Sequence, residues 1–408
     1  MHNNLKKNFI WNSIGAALNA TSSLFFLIVV TRINGVDQAG VFTFAFSTAC
    51  LLYIVGTYSG RTYQVTETKK EITDSDYVYT RIITSSFMLV LAIIFSLIKG
   101  YSFNKLIIIF TLVLYKSIEA MFDVLYGLFQ KKDELYKVGI SMLIKAIAQI
   151  ITFIIIDLIT HDLLLSIIGL IISNILVFIF YDLVNYKKHD FKFLKVNNKH
   201  IKFILKYGFW TFLFTFLTQY LLNAPKYSID NLLSNDYQTI YGIISMPATI
   251  MVLSSQFLVQ PFLKSISNSI IEKKYSKYNS TIIKLIIALF VIGIVFLLGA
   301  YLVGIPFLEL IYSVELNEYL WPLLIVITGA MFFGVTSIIS CGLITIRKTF
   351  IQSLLFIIVS IIAFFISDIF VKSNGILGAS ISYLISMSIL MILYFVVYFY
   401  EYNKLKRG

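Results

Sequence analysis

NYKKHDFKFLKVNNKH, residues 185–200, is a lysine-rich polar interval that divides in the middle a chain otherwise made of a succession of apolar runs. Six runs precede it: Phe9–Thr31, Val36–Ser59, Val78–Ile98, Leu106–Phe129, Val138–Ile156 and Leu163–Val184. Six follow: Ile201–Leu222, Thr239–Leu263, Ile282–Val303, Leu320–Ile344, Phe350–Phe370 and Ile376–Tyr400. Each is close to the roughly 20 residues that cross a hydrocarbon core about 30 Å thick. The expected fold class is therefore an all-α polytopic membrane protein. Its twelve transmembrane helices are expected to fall into two lobes of six, residues 1–195 and 196–408.

Charge gives the orientation. Of the 33 Lys and Arg residues, only Arg32, Lys99, Lys105, Lys226 and Lys372 fall in odd-numbered connections, and only Lys116 and Lys145 lie deep inside apolar runs. All others are counted with the even-numbered connections or the two tails, Arg81, Lys202, Lys206 and Lys284 standing in the run ends beside those connections, and the positive-inside rule makes these regions cytoplasmic. The first run follows Lys6 and Lys7 but is interrupted by Asn12, Ser13 and Asn19. It reads as an uncleaved span rather than a signal peptide.

Composition agrees: hydrophobic residues make up 58% and charged residues 13%, with a mean hydropathy of +0.85. The net charge of +12 faces anionic headgroups instead of nucleic acid. No connection is long enough to fold as a separate domain. Cys50 and Cys341 both lie in apolar runs, the four histidines are scattered, and no metal-ligand spacing or cofactor motif occurs.

A shift of 199 residues places Trp11 on Trp210, Asp37 on Asp236 and Phe42 on Tyr241. Because each half has an even number of spans, the halves are parallel repeats about an axis along the membrane normal. All five prolines lie in the second half, and Pro247 is expected to kink the eighth span.

Polar side chains in membrane helices avoid lipid, so they mark interior faces. Asn12, Gly15, Asn19 and Ser22 share one face of the first span. Gln219 and Asn223 lie on the seventh, and Ser245, Thr249, Gln256 and Gln260 on the eighth. A hydrated cavity and a helix-packing seam both use such stripes. The ninth span is apolar all round except for Lys284 and is expected to face lipid.

Lys116, Glu119 and Asp123 form one charged face of the fourth span, continued by Tyr126 and Gln130. If the hairpin to the fifth span turns near Asp133, opposed residue numbers sum to about 267 and Asp123 faces Lys145. Two readings follow. The four charges lock two helices together as a neutral network, or one carboxylate binds the proton or cation that drives transport. Arg32 and Lys226, near equivalent ends of the first and seventh spans, suit an anionic group such as a pyrophosphate, or else snorkel to the interface.

The segments WNSIG (11–15), VTRING (30–35), AGVFTFAF (39–46), GRTYQVTE (60–67), NAPKY (223–227) and SMP (245–247), in this order, resemble the polysaccharide flippases of the multidrug/oligosaccharidyl-lipid/polysaccharide exporter superfamily. That resemblance implies a non-enzymatic protein of the bacterial cytoplasmic membrane, an all-α polytopic protein whose two six-helix lobes, as parallel repeats, surround a central cavity. It would move undecaprenyl-pyrophosphate-linked oligosaccharide repeat units of O-antigen, lipopolysaccharide or capsule to the outer leaflet by alternating access, beside a polysaccharide polymerase as a candidate partner. Carried over, Arg32, Arg61 and Lys226 would contact pyrophosphate or acidic sugars, and Asn19, Gln219, Asn223 and Gln256 would contact sugars. The nearest alternative is a cation-coupled small-molecule or drug antiporter of the same superfamily, against which Arg32 and Lys226 argue. An oligosaccharide polymerase or ligase would need a larger outer loop than this chain has.

Overall fold

The computed structural model describes residues 2–66, 72–187 and 196–407, except for the side chains of residues 2–6, 62, 63 and 66. Lys6 as a side chain, and Lys69, Lys70, Lys188, His189, Lys192 and Lys195 entirely, lie outside the described residues, as does the expected lobe boundary at 195.

Ten helices among the described residues are long and apolar enough to cross a membrane. One of these, Thr349–Arg407, is broken in two by Gly375, whose φ of 55° and ψ of −129° lie outside helical space. Such a backbone suits glycine because it has no Cβ. A further helix, Phe103–Lys131, is of membrane-spanning length but carries Lys116, Glu119 and Asp123 along it. These two additions complete the twelve spans read from the sequence.

The repeat is visible in the helix ends. The first span stops at Ile33 and the second starts at Val36, while the seventh, Asn198–Leu232, stops at Leu232 and the eighth starts at Asn235. Both boundaries differ by the same 199 residues that align the two halves of the sequence. The ends are set by local chemistry. Thr73 and Asp76 form a reciprocal capping box at the start of the third span, and Ser102 and Asp162 cap the fourth and sixth.

The eighth span is interrupted where Pro247 was expected to act. It runs as Asn235–Ile244, then Met246–Val259, then a tight turn at Gln260–Phe262 containing Pro261. Pro247 sits in the first turn of its segment, where a missing N–H costs nothing.

The chain divides into two compact units, Met1–Phe216 and Leu217–Gly408. The start of the seventh span thus belongs with the first unit. Tyr58 explains this locally: its ring stacks on Phe212 at 4.5 Å and its hydroxyl donates to the Leu205 carbonyl at 3.1 Å. The second span, Val36–Thr57, is largely enclosed in the first unit, as Asn317–Thr345 is in the second. The ninth span, within Tyr275–Tyr312, exposes Ile287, Val291, Val295 and Leu298, as its apolar surface led us to expect.

Gly15 and Gly139 let the first and fifth spans approach backbone to backbone. A Cβ on Gly15 would stand 2.1 Å from the Gly139 carbonyl oxygen, and one on Gly139 would stand 2.2 Å from the Trp11 backbone. Close crossing of small residues replaces the hydrophobic drive that lipid cannot supply. Gly15→Ala should therefore cost about 1–3 kcal/mol by overpacking. Melting of the detergent-solubilised protein checks this, with Gly299→Ala as the control, since nothing lies within 4 Å of its Cβ position.

Candidate functional site

The charged face of the fourth span is the centre of a network that ties together four helical segments of the first unit. Glu119 is held from both sides, by Lys116 Nζ at 2.6 Å and Lys145 Nζ at 2.7 Å. Lys116 also stands over the rings of Phe46, Tyr115 and Tyr53, at 4.9, 5.0 and 5.8 Å. This aromatic collar offsets part of the cation's lost hydration.

Asp123 does not face Lys145. Its carboxylate accepts from Arg81 at 2.8 Å and lies 3.9 Å from Arg61. The expected hairpin register is correct, because Tyr126 and Ser141 meet across it at 2.8 Å. What differs is direction. Lys145 lies opposite Phe122, over whose ring its ammonium sits at 5.1 Å, and its long stem reaches back one turn to Glu119. Asp123 points around the helix toward the third span and the short helix Gly60–Thr66.

Arg61, expected to contact substrate, lies at the margin of this network. Its Nε and Nη2 donate to Gln130 Oε1 at 3.1 and 2.9 Å, and its guanidinium carbon is 5.7 Å from the Tyr126 ring centre. A quarter of its side chain remains exposed (25%), so it can meet a ligand without leaving its partners. Arg81 is only 3% exposed. Thus two carboxylates are surrounded by four cations, and the network carries a positive surplus.

Elsewhere the expected residues are dispersed. Asn19 is half-buried, while Gly15 on the same stripe is spent on the contact with Gly139, so that stripe is partly a packing seam. Arg32 is exposed at the end of the first span, in the first unit. Gln219, Asn223 and Lys226 belong to the second unit, where Asn223 is buried and its amide donates to the Gln219 carbonyl at 3.0 Å. Gln256 and Gln260 are exposed and take no part in the core of their unit.

Arg81 is the functional candidate that sequence reasoning missed. It was counted among the topology charges of the second connection, but the helix of the third span begins at Asp74, and Arg81 lies two turns inside. Asp182 was missed too. It is fully buried in a π-helical stretch, Phe178–Leu183, and accepts from Ser141 at 2.8 Å. The available signal was an acidic residue within an apolar run. No group of three or more His, Cys, Asp and Glu able to hold a metal ion occurs among the described residues.

The fold has known counterparts. An inward-facing multidrug resistance MATE family transporter of the MOP superfamily superposes with a TM-score of 0.77, at 14% identity over 98% of this chain and 99% of that one. The chain has the fold of the MOP superfamily. The lipid II flippase MurJ, in an inward closed conformation, shares this MOP fold with a TM-score of 0.75 and 19% identity over 97% of this chain and 90% of that one. The one is named a transporter and the other a flippase. In sequence, the capsular polysaccharide biosynthesis protein CapF of Staphylococcus aureus is 25% identical over 406 residues, 97% of this chain and 99% of that protein. No family model matches the chain.

Asp123→Asn would strand the Arg81 guanidinium, and breaking a buried pair from one side costs about 3–5 kcal/mol. Melting temperature should fall sharply for this variant and stay unchanged for Glu272→Gln, whose partner Lys274 is exposed.

Proposed function

We propose that this protein is a flippase for undecaprenyl-pyrophosphate-linked oligosaccharide repeat units, moving them from the cytoplasmic to the outer leaflet of a bacterial cytoplasmic membrane during surface polysaccharide assembly. The observation that carries this reading is the positive surplus of the first unit, with Arg61 partly exposed at its edge beside Gln130 and Tyr126. A cation that keeps exposed donors suits a phosphate-bearing cargo. The similarity to a capsular polysaccharide biosynthesis protein supports a saccharide, and a structural neighbour named a lipid II flippase supports a lipid-linked one.

In this reading both termini are cytoplasmic, following the distribution of lysine and arginine. Arg32 and Lys226 are further candidate contacts for the pyrophosphate or for acidic sugars, and Asn19, Gln219, Asn223 and Gln256 are candidate sugar contacts. A polysaccharide polymerase is a candidate partner that would take up the translocated units. The lobes are proposed to divide at the connection around residue 195, with the start of the seventh span docked on the first.

The similarity to a multidrug transporter favours a second reading, a cation-coupled antiporter. Against it stands the same surplus, because four cations around two carboxylates repel a cationic cargo.

Deleting the gene should leave lipid-linked repeat units accumulating on the cytoplasmic leaflet. Short unpolymerised units at the cell surface would instead indicate a polymerase and sink the flippase reading. Arg61→Gln, expressed in the deletion strain, should lower polysaccharide output about tenfold or more, the effect of losing one charge-assisted contact worth about 1.5–3 kcal/mol. Glu119 has two ammonium partners and is assigned to the structural lock. Transport by Glu119→Gln, normalised to folded protein, should keep the wild-type dependence on pH; an altered profile would give Glu119 the coupling role instead.

A further inference from the structure

At the end of the first unit remote from its basic connections, the short connections after the first, third and fifth spans converge on a cavity of about 420 Å3. That volume lies in the range of small-molecule sites, about 300–1,000 Å3. Its polar lining is Asn34, Gln38, Asn104, His161 and Asp162, and the rest is isoleucine and leucine. The lining includes no lysine, arginine, phenylalanine, tyrosine or tryptophan.

This composition selects a ligand class. A phosphate group would meet no lysine or arginine there and would be repelled by Asp162, while an organic cation would find the single carboxylate of Asp162 but no phenylalanine, tyrosine or tryptophan ring to lie against. Sugar hydroxyls both donate and accept, which amides match with both functions, a carboxylate with acceptors and imidazole with either. The C–H faces of a sugar ring then rest on the aliphatic wall.

Two elements hold the wall in place. His161, at φ 50°, ends the fifth span, its backbone N–H bonded to the Asp157 carbonyl at 2.9 Å. Asp162 starts the sixth span by accepting from Leu165 N at 3.0 Å. Both side chains are exposed, and both are positioned by helix termini that do not need a ligand to form.

We propose that this cavity is a subsite for neutral saccharide, receiving the sugar portion of the cargo on the side of the protein toward which it is moved. The proposal rests on the flippase reading and adds a second contact zone, separate in chemistry from the cationic network. That network takes charge; this cavity takes hydroxyl groups.

The test uses the full-length protein in lipid nanodiscs and saturation-transfer NMR with a panel of free neutral hexoses and N-acetylhexosamines, with inorganic pyrophosphate as the anionic competitor. At least one sugar should receive magnetisation from the wild type. The Gln38→Leu, Asn104→Leu double variant should bind it about tenfold more weakly, about 1.4 kcal/mol, at an unchanged melting temperature. His161→Ala, which keeps the backbone N–H that closes the fifth span on the Asp157 carbonyl, should weaken it as well. Pyrophosphate should not displace the sugar.

No transfer to any sugar, equal binding by all variants, or displacement by pyrophosphate would each overturn the subsite. The flippase reading stands or falls separately. Free-sugar binding combined with normal leaflet distribution in the deletion strain would remove that reading, whereas accumulated lipid-linked units combined with no sugar binding would remove only the subsite.

Discussion

Glu119, clasped between Lys116 and Lys145 inside a membrane-spanning bundle, is the interaction on which the rest of the first unit depends. Hydrocarbon offers no solvation to a bare charge, so every ionised group must find an opposite charge or a hydrogen bond. Glu119 joins the fourth span to the fifth, and Asp123, one turn on, joins the fourth to the third through Arg81. Arg61 brings in the short helix Gly60–Thr66. The helices are thereby fixed in register by charge, where lipid gives apolar side chains little preference for one packing over another.

In the proposed reading the same network lets structure and cargo recognition coexist. Three of the cations are enclosed and their main partners are carboxylates, which makes them structural. Arg61 is held mainly by the neutral Gln130 amide and the Tyr126 ring, with Asp123 only at 3.9 Å. It therefore keeps charge to offer to a ligand. A lobe that is cationic at one place and lined with amides and aliphatic groups at another is suited to an amphiphile whose charged, hydroxylated and apolar parts need separate surroundings.

Much of this was legible in the amino-acid sequence, for physical reasons. Spans follow from hydrocarbon thickness, and the helix break at Gly375 falls in the gap left between Phe370 and Ile376. The 199-residue repeat reappears in helix ends at Ile33 and Leu232. Contacts were harder, because they depend on which way a side chain leaves its helix. Asp123 was assigned the wrong partner since Arg81 had been counted with the polar connection. Gly15 was grouped with Asn19 by angle alone, although a glycine on such a face serves a backbone contact as readily as a cavity. The amide-lined cavity was invisible because its walls come from three connections far apart in the chain.

Transbilayer movement of cargo by the purified protein addresses the central claim most directly. Proteoliposomes would contain a fluorescent, short-chain polyprenyl-pyrophosphate oligosaccharide in both leaflets, with a membrane-impermeant quencher added outside. The account requires protein-dependent exchange that is strongly slowed by Arg61→Gln and is unaffected by cationic dyes. Quenching no faster than in protein-free vesicles, or efficient transport of the dyes with none of the lipid-linked saccharide, would contradict it.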